Sequence, residues 1–329
     1  MTPPEQVLLP PVDISPELRA AREMSRQRID SYRGSENLAK RHGAMTKEVG
    51  RVASKDPEFA FTLAEGFDTP VQVNALAVIG KTTGYIGALS DARDIANSAE
   101  FTPGQQSEKL TVVAIAAAEV DPALAFEVAK DIPLPARRAD SLIDIADKSK
   151  KVFGRRLHSE TQNSNFSIDL IRRMVREADR TINDNNLCDE HRNSRLANVS
   201  AEHDLLVTYM ACLRSGSSIP GALSVISRHV KGYIAAKRLD DLEAAADPSG
   251  ELIIETLKHE VEQNGSRPSL YGWDALRLDP VVDGVELLKH FEIKKPEVAR
   301  ELLSVIRDGA SAQLKSGRFE DPTSIFGFL

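Results

Sequence analysis

The chain has 329 residues, of which 41% are hydrophobic, 28% charged and only 5% aromatic, with a formal net charge of −7. That composition builds a core from Ala, Leu, Ile and Val, which favours helix over strand. The acidic balance argues against a general nucleic-acid binder, and the two cysteines, Cys188 and Cys212, exclude a multi-disulfide framework.

Residues 1–16 carry five of the 17 prolines and read as an extended or disordered tail. They lack the basic start of a secretion leader, and no apolar run is long enough to span a bilayer. A cytoplasmic location follows as the expectation, and delivery as a bacterial effector is compatible with it. From residue 17 to 154 the reading is of N-terminal helical repeats with a cap. Two helices, "PELRAAREMSRQRIDSYR" and "SENLAKRHGAMTKEVGRVAS", form the cap.

A repeat begins at Asp56. Ala60, Leu63, Ala64 and Phe67 stand at i, i+3, i+4 and i+7. So do Ala92, Ile95, Ala96 and Ala99, and so do Ala125, Val128, Ala129 and Ile132. This spacing places four residues on one stripe of a helix. Pro70, Pro103 and Pro135 follow, each suited to open the next helix. The second stripes are Leu76, Ile79, Gly80, Thr83, then Leu110, Val113, Ala114, Ala117, then Leu142, Ile145, Ala146, Ser149. Each unit of about 32–33 residues is thus helix, proline turn, helix. Asp-Pro opens units one and three, with Asp expected at the N-cap and Pro at the first helical position. The dipeptide returns at Asp247-Pro248 and Asp279-Pro280, with stripes Gly250, Ile253, Ile254, Leu257 and Gly284, Leu287, Leu288, Phe291.

These repeated stripes resemble the α-solenoids of stacked helical hairpins, of the HEAT-like and tetratricopeptide-like class. The segment from Ala60 to Phe67 lacks the Trp, Leu-Gly and Tyr of the tetratricopeptide pattern, so the likeness is one of class. It implies an all-α, solenoid fold whose long surfaces bind another protein, acting as a scaffold or adaptor without cofactor or catalysis.

Residues 155–246 depart from the period and read as a central irregular helical region. "IDLIRRMVREADRTI", "SAEHDLLVTYMACL" and "PGALSVISRHVKGYIAAKRLDDLEAAA" are its helices, with "SETQNSNFS" and "NDNNLCDEHRNS" as polar loops or helix ends. Residues 247–329 return to helical repeats and end in a tail, "RFEDPTSIFGFL", expected to pack back on the last repeat.

Two candidate sites arise. Cys188, His191, His203 and Cys212 are metal-ligand types, but His203 and Cys212 fall nine residues apart on one expected helix. That separation is about 13 Å, too far for one tetrahedral zinc, so no metal is assigned. Residues 137–180 hold 11 Lys or Arg against seven Asp or Glu, a local +4 that leaves −11 elsewhere. Arg137, Arg138, Lys150, Lys151, Arg155, Arg156, Arg172 and Arg173 are the candidate binding residues of this basic patch. The alternative function they raise is a solenoid enzyme or binder acting on nucleic acid or a phosphorylated ligand.

Overall fold

A computed structural model describes residues 15–98, 100–156, 164–246, 250–264 and 278–315, with the side chains of 153–156, 164–167, 264, 293 and 314 not described. Residues 1–14 of the N-terminal tail, Ala99, "SETQNS" at 159–164, Asp247-Pro248, Trp273 and the C-terminal "RFEDPTSIFGFL" lie wholly or in their side chains outside the described residues, while Ser15 and Pro16 cap and open the first helix. Among the described residues there are sixteen helices and no strand. No helix is long and apolar enough to cross a membrane. Two compact units meet in sequence between Pro133 and Leu134.

The first unit contains α1 (Pro16–Arg33), α2 (Leu38–Ala53), α3 (Pro57–Glu65), α4 (Thr69–Thr83), α5 (Ile86–Ala96), α6 (Pro103–Ala117) and α7 (Pro122–Lys130). Local chemistry sets their starts. Asp56 caps α3 by accepting from the Phe59 N–H, and Asp121 caps α7 by accepting from Ala123 and Leu124. In both helices proline occupies the first turn, where its missing N–H costs nothing. Thr102 and Gln105 close a capping box on α6. Gly84 ends α4 at a φ of 72°, a left-handed conformation that glycine adopts without strain.

The seven helices form two layers. α2 packs on α4 and α4 on α6, while α3 fits against α2 and α4, α5 against α4 and α6, and α7 against α6. Side-chain pairs give the directions. His42 of α2 feels the charge of Asp68 at the start of α4, and a β-carbon on Gly50 would lie 2.7 Å from Val78, so α2 and α4 run parallel. Lys109 pairs with Asn74 and Glu119 with Lys81, so α6 runs parallel to both. Arg22 binds Asp56 and Arg33 donates to the Gly66 carbonyl, which places α1 alongside α3.

Ala60, Ala92 and Ala125, the equivalent positions of the repeat, are all fully buried, as are Ala64, Ala96 and Ala129. Each lies on one of the short helices α3, α5 and α7. Small side chains there let α3 sit between α2 and α4, α5 between α4 and α6, and α7 close against α6. The packing of neighbouring helices fits a stacked arrangement.

The Asp56 cap is also a tertiary tie. Its carboxylate takes two guanidinium hydrogen bonds from Arg22, at 2.6 and 3.0 Å. The Arg22 hydrogen bonds, aided by the Phe59 N–H, hold the Asp56 carboxyl below the usual range against the opposing effect of burial. Asp56→Ala is expected to cost about 2 kcal/mol in denaturant unfolding, from the lost cap and the stranded arginine, and Asp56→Asn less, since its amide oxygen still caps.

The second unit contains α8 (Pro135–Arg156), α9 (Ser164–Asp184), α10 (Glu190–Ser200), α11 (Leu205–Arg214), α12 (Ile219–Ala235), α13 (Leu239–Ala245), α14 (Glu251–Asn264), α15 (Val282–Lys294) and α16 (Pro296–Lys315). The third hairpin of the sequence pattern is therefore divided, with α7 in the first unit and α8 in the second. Here α8 packs on α9, α10 on α11, and α12, α14 and α16 follow one on the next. The apolar stripe of α12 to α16, including Leu223, Ile226, Ile253, Leu257, Leu287, Phe291 and Leu302, forms one core.

Three local expectations need correction. "SAEHDLLVTYMACL" is not one helix: α10 ends at Ser200, and Asp204 caps a new helix from Leu205 by accepting from Val207. Gly250 is not on the α14 stripe but precedes the helix with φ of 74°, and a β-carbon on it would lie 3.1 Å from the Val298 side chain. At Asp279-Pro280 the dipeptide makes a turn, and α15 starts at Val282, with Asp279 accepting from the Val281 and Val282 N–H groups.

Candidate functional site

The predicted basic residues all fall in the second unit, and acidic or carbonyl groups take up several of their side chains. Arg137 is exposed. Lys150 of α8 pairs with Glu202 at 2.9 Å, and Lys151 pairs with Asp147 on its own helix. Arg172 of α9 binds Asp169 and donates to the His203 carbonyl, both through hydrogen bonds of about 3 Å. Arg138 and Arg173 are likewise engaged. Arg155 and Arg156 close α8, with side chains outside the described residues. Nearby, Arg176 pairs with Asp204, Arg214 with Asp179, and Arg192 with Asp140 through two hydrogen bonds.

Some of these contacts meet at the break between α10 and α11. Lys150 from α8, Arg172 and Arg176 from α9, and the Tyr233 hydroxyl from α12 all bind residues 202–204. At the centre His203 is 8% exposed, and neither ring nitrogen has a hydrogen-bond partner. Burial, aided by the charges of Lys150 and Arg172, pushes its pKa down to about 4. Burial lowers His229 in the same direction and raises Tyr233 to about 12. The clamp fixes the bend between two helices, and its cations are committed to carboxylates and carbonyls.

The metal-ligand types do not converge. Cys188 and His191 are exposed while Cys212 and His203 are buried. Among the described residues, one group of potential ligand atoms lies within 4.8 Å of one another: Asp240, Glu243 and His290. There Lys294 already stands 2.6 Å from Asp240 and 3.2 Å from Glu243, and Lys295 3.5 Å from Glu243. The arrangement is an ion-paired lock between α13 and α15.

A second surface, on the first unit, escaped the sequence reading. The parallel layer α2, α4, α6 carries His42 and Thr46, then Asn74 and Val78, then Lys109 and Ile115. Lys109 is 7% exposed, yet its ammonium meets only the Asn74 side-chain oxygen at 3.4 Å and the neighbouring Glu108 at 3.7 Å. A buried ammonium normally places its three donors on closer acceptors. The Thr46 hydroxyl is also buried without a partner. Burial and the cations Arg41 and Lys109 lower the pKa of His42, which favours its neutral form.

No family model, no curated protein and no solved structure matches this chain. The class that the fold defines is an all-α protein whose neighbouring-helix contacts fit a stacked arrangement.

Proposed function

We propose that the first unit is a solenoid-type module of the helical-hairpin class, and that the protein works as a scaffold or adaptor that binds another protein along it. The observation that carries this reading is the parallel packing of α2 on α4 and α4 on α6. Such a layer presents side chains from successive helices as one continuous strip, and recognition along it needs no catalytic constellation. The commitment of Lys150, Arg172 and Arg176 to acidic and carbonyl partners supports a protein rather than a nucleic-acid ligand.

The test is affinity retrieval with the full chain and a quantitative readout of what it holds. Charge placed on the strip by Val78→Glu with Ile115→Glu is expected to abolish retention. The same change at the exposed outer-layer residues Thr62 and Tyr85 is expected to leave it intact. Equal retention by both variants would overturn the reading.

A further inference from the structure

We infer that His42 and Thr46 of α2, Asn74 of α4 and Lys109 of α6 form a carboxylate-binding subsite that docks an acidic segment of the protein partner. The inference rests on the binding role proposed above and names the chemistry of one point on that strip.

The residues are brought together by the layer itself. Lys109 reaches Asn74 across the α4–α6 contact, and His42 on α2 lies close enough to feel the Lys109 charge. Thr46 is one turn further along α2 from His42. Three parallel helices therefore direct one cation and several neutral donors to a common strip.

Two observations mark the place as incompletely satisfied. Lys109 is more than nine-tenths buried with contacts of 3.4 and 3.7 Å, and the Thr46 hydroxyl is buried with no partner. Leaving such groups unpaired costs about 1–3 kcal/mol each, more for a charge. A carboxylate oxygen at Lys109, with its second oxygen accepting from the Thr46 hydroxyl, would recover both.

Charge balance selects the ligand class. The subsite has one permanent cation, with Glu108 beside Lys109 and Asp68 at the start of α4. Arg41 flanks His42, but its guanidinium reaches toward the Arg33 carbonyl. A single negative charge fits this field, whereas a phosphate dianion would need more cations than the strip supplies.

The experiment measures fluorescence anisotropy of labelled tetraglutamate on the full-length protein at neutral pH and low salt, with tetraglutamine and tetraphosphoserine peptides as comparisons. Tetraglutamate is expected to bind at least about tenfold more tightly than tetraglutamine, a difference of about 1.4 kcal/mol. Lys109→Met, which keeps the buried stem, is expected to remove that preference. Asn74→Asp, which sets a competing carboxylate against an intact Lys109, is expected to do the same and covers the case in which Lys109→Met fails to fold. Equal binding of tetraglutamate and tetraglutamine, unchanged binding by both folded variants, or a preference for tetraphosphoserine would overturn the subsite. If the subsite fails while Val78→Glu with Ile115→Glu still abolishes partner retention, the binding role stands without it.

Discussion

Gly80→Ala is expected to destabilise the protein by about 2 kcal/mol, whereas Gly43→Ala is expected to stabilise it by up to about 1 kcal/mol. Both glycines lie within helices of the same layer, α4 and α2. Helix propensity alone predicts a gain at both. The surroundings separate them. A β-carbon on Gly43 meets nothing within 4 Å. One on Gly80 would stand 2.5 Å from Leu89 Cγ, 2.8 Å from its Cδ2 and 3.2 Å from the Tyr85 carbonyl oxygen. Leu89 is fully buried and the Tyr85 oxygen belongs to the backbone, so neither can move aside cheaply. The added methyl forces α4 and α5 apart. Chemical denaturation of the two variants beside wild type measures the opposite signs, and a stabilised Gly80→Ala protein would show that α4 and α5 do not approach this closely.

Acidification from pH 7 to pH 5 is expected to remove about 2 kcal/mol of stability through His203 alone. The sign follows from the depressed pKa of the folded state. Unfolded, the imidazole takes up a proton as pH falls through about 6.5. Folded, it resists protonation down to about 4, because the ring is buried beside Lys150 and Arg172. Between those values the unfolded chain holds more protons, so stability falls as pH falls. Asp56, Glu48 and Glu202 have lowered carboxyl pKa values, and their contributions are lost at lower pH than this window. His42 and His229 are lowered as well and add in the same direction. His203→Leu isolates the one residue. At pH 7 the variant is expected to be at least as stable as wild type, because leucine removes two buried ring nitrogens that have no partner. At pH 5 its advantage over wild type is expected to be about 2 kcal/mol larger than at pH 7. Parallel stability curves for the two proteins across that range would contradict the assignment.

The features legible in the sequence are those with local causes. Asp56 and Asp121 cap their helices because an acceptor before proline satisfies the first-turn N–H groups whatever the rest of the chain does. Ala60, Ala92 and Ala125 are legible because small residues at a fixed interval on an apolar stripe mark where helices approach. The break after Ser200 has a partly local signal in Asp204, an N-cap residue directly before "LLVTYMACL". Its other cause is distant, since the side chains that hold residues 202–204 come from α8, α9 and α12.

Charge was the least legible property. A count over residues 137–180 finds an excess of cations, but Glu202 and Asp204 lie outside that window and fold onto Lys150 and Arg176. Lys109 shows the reverse. In the sequence it is one lysine beside Glu108, and nothing in its neighbours marks it as buried. Its burial depends on α4 packing against α6, which no local pattern records.

The in-register layer is what the stacked arrangement and the proposed binding strip both require, and one cross-link tests it. Gly50 and Val78 are brought together by that register, with a β-carbon on Gly50 lying 2.7 Å from the Val78 side chain. With Cys188 and Cys212 replaced by serine, the full chain carrying Gly50→Cys and Val78→Cys is oxidised mildly and mapped by mass spectrometry. The account predicts a disulfide joining the two peptides in the folded protein at high yield, and none when the same chain is oxidised in denaturant at low concentration. Two free thiols at these positions in the folded, oxidised protein would mean that α2 and α4 are not stacked in this register.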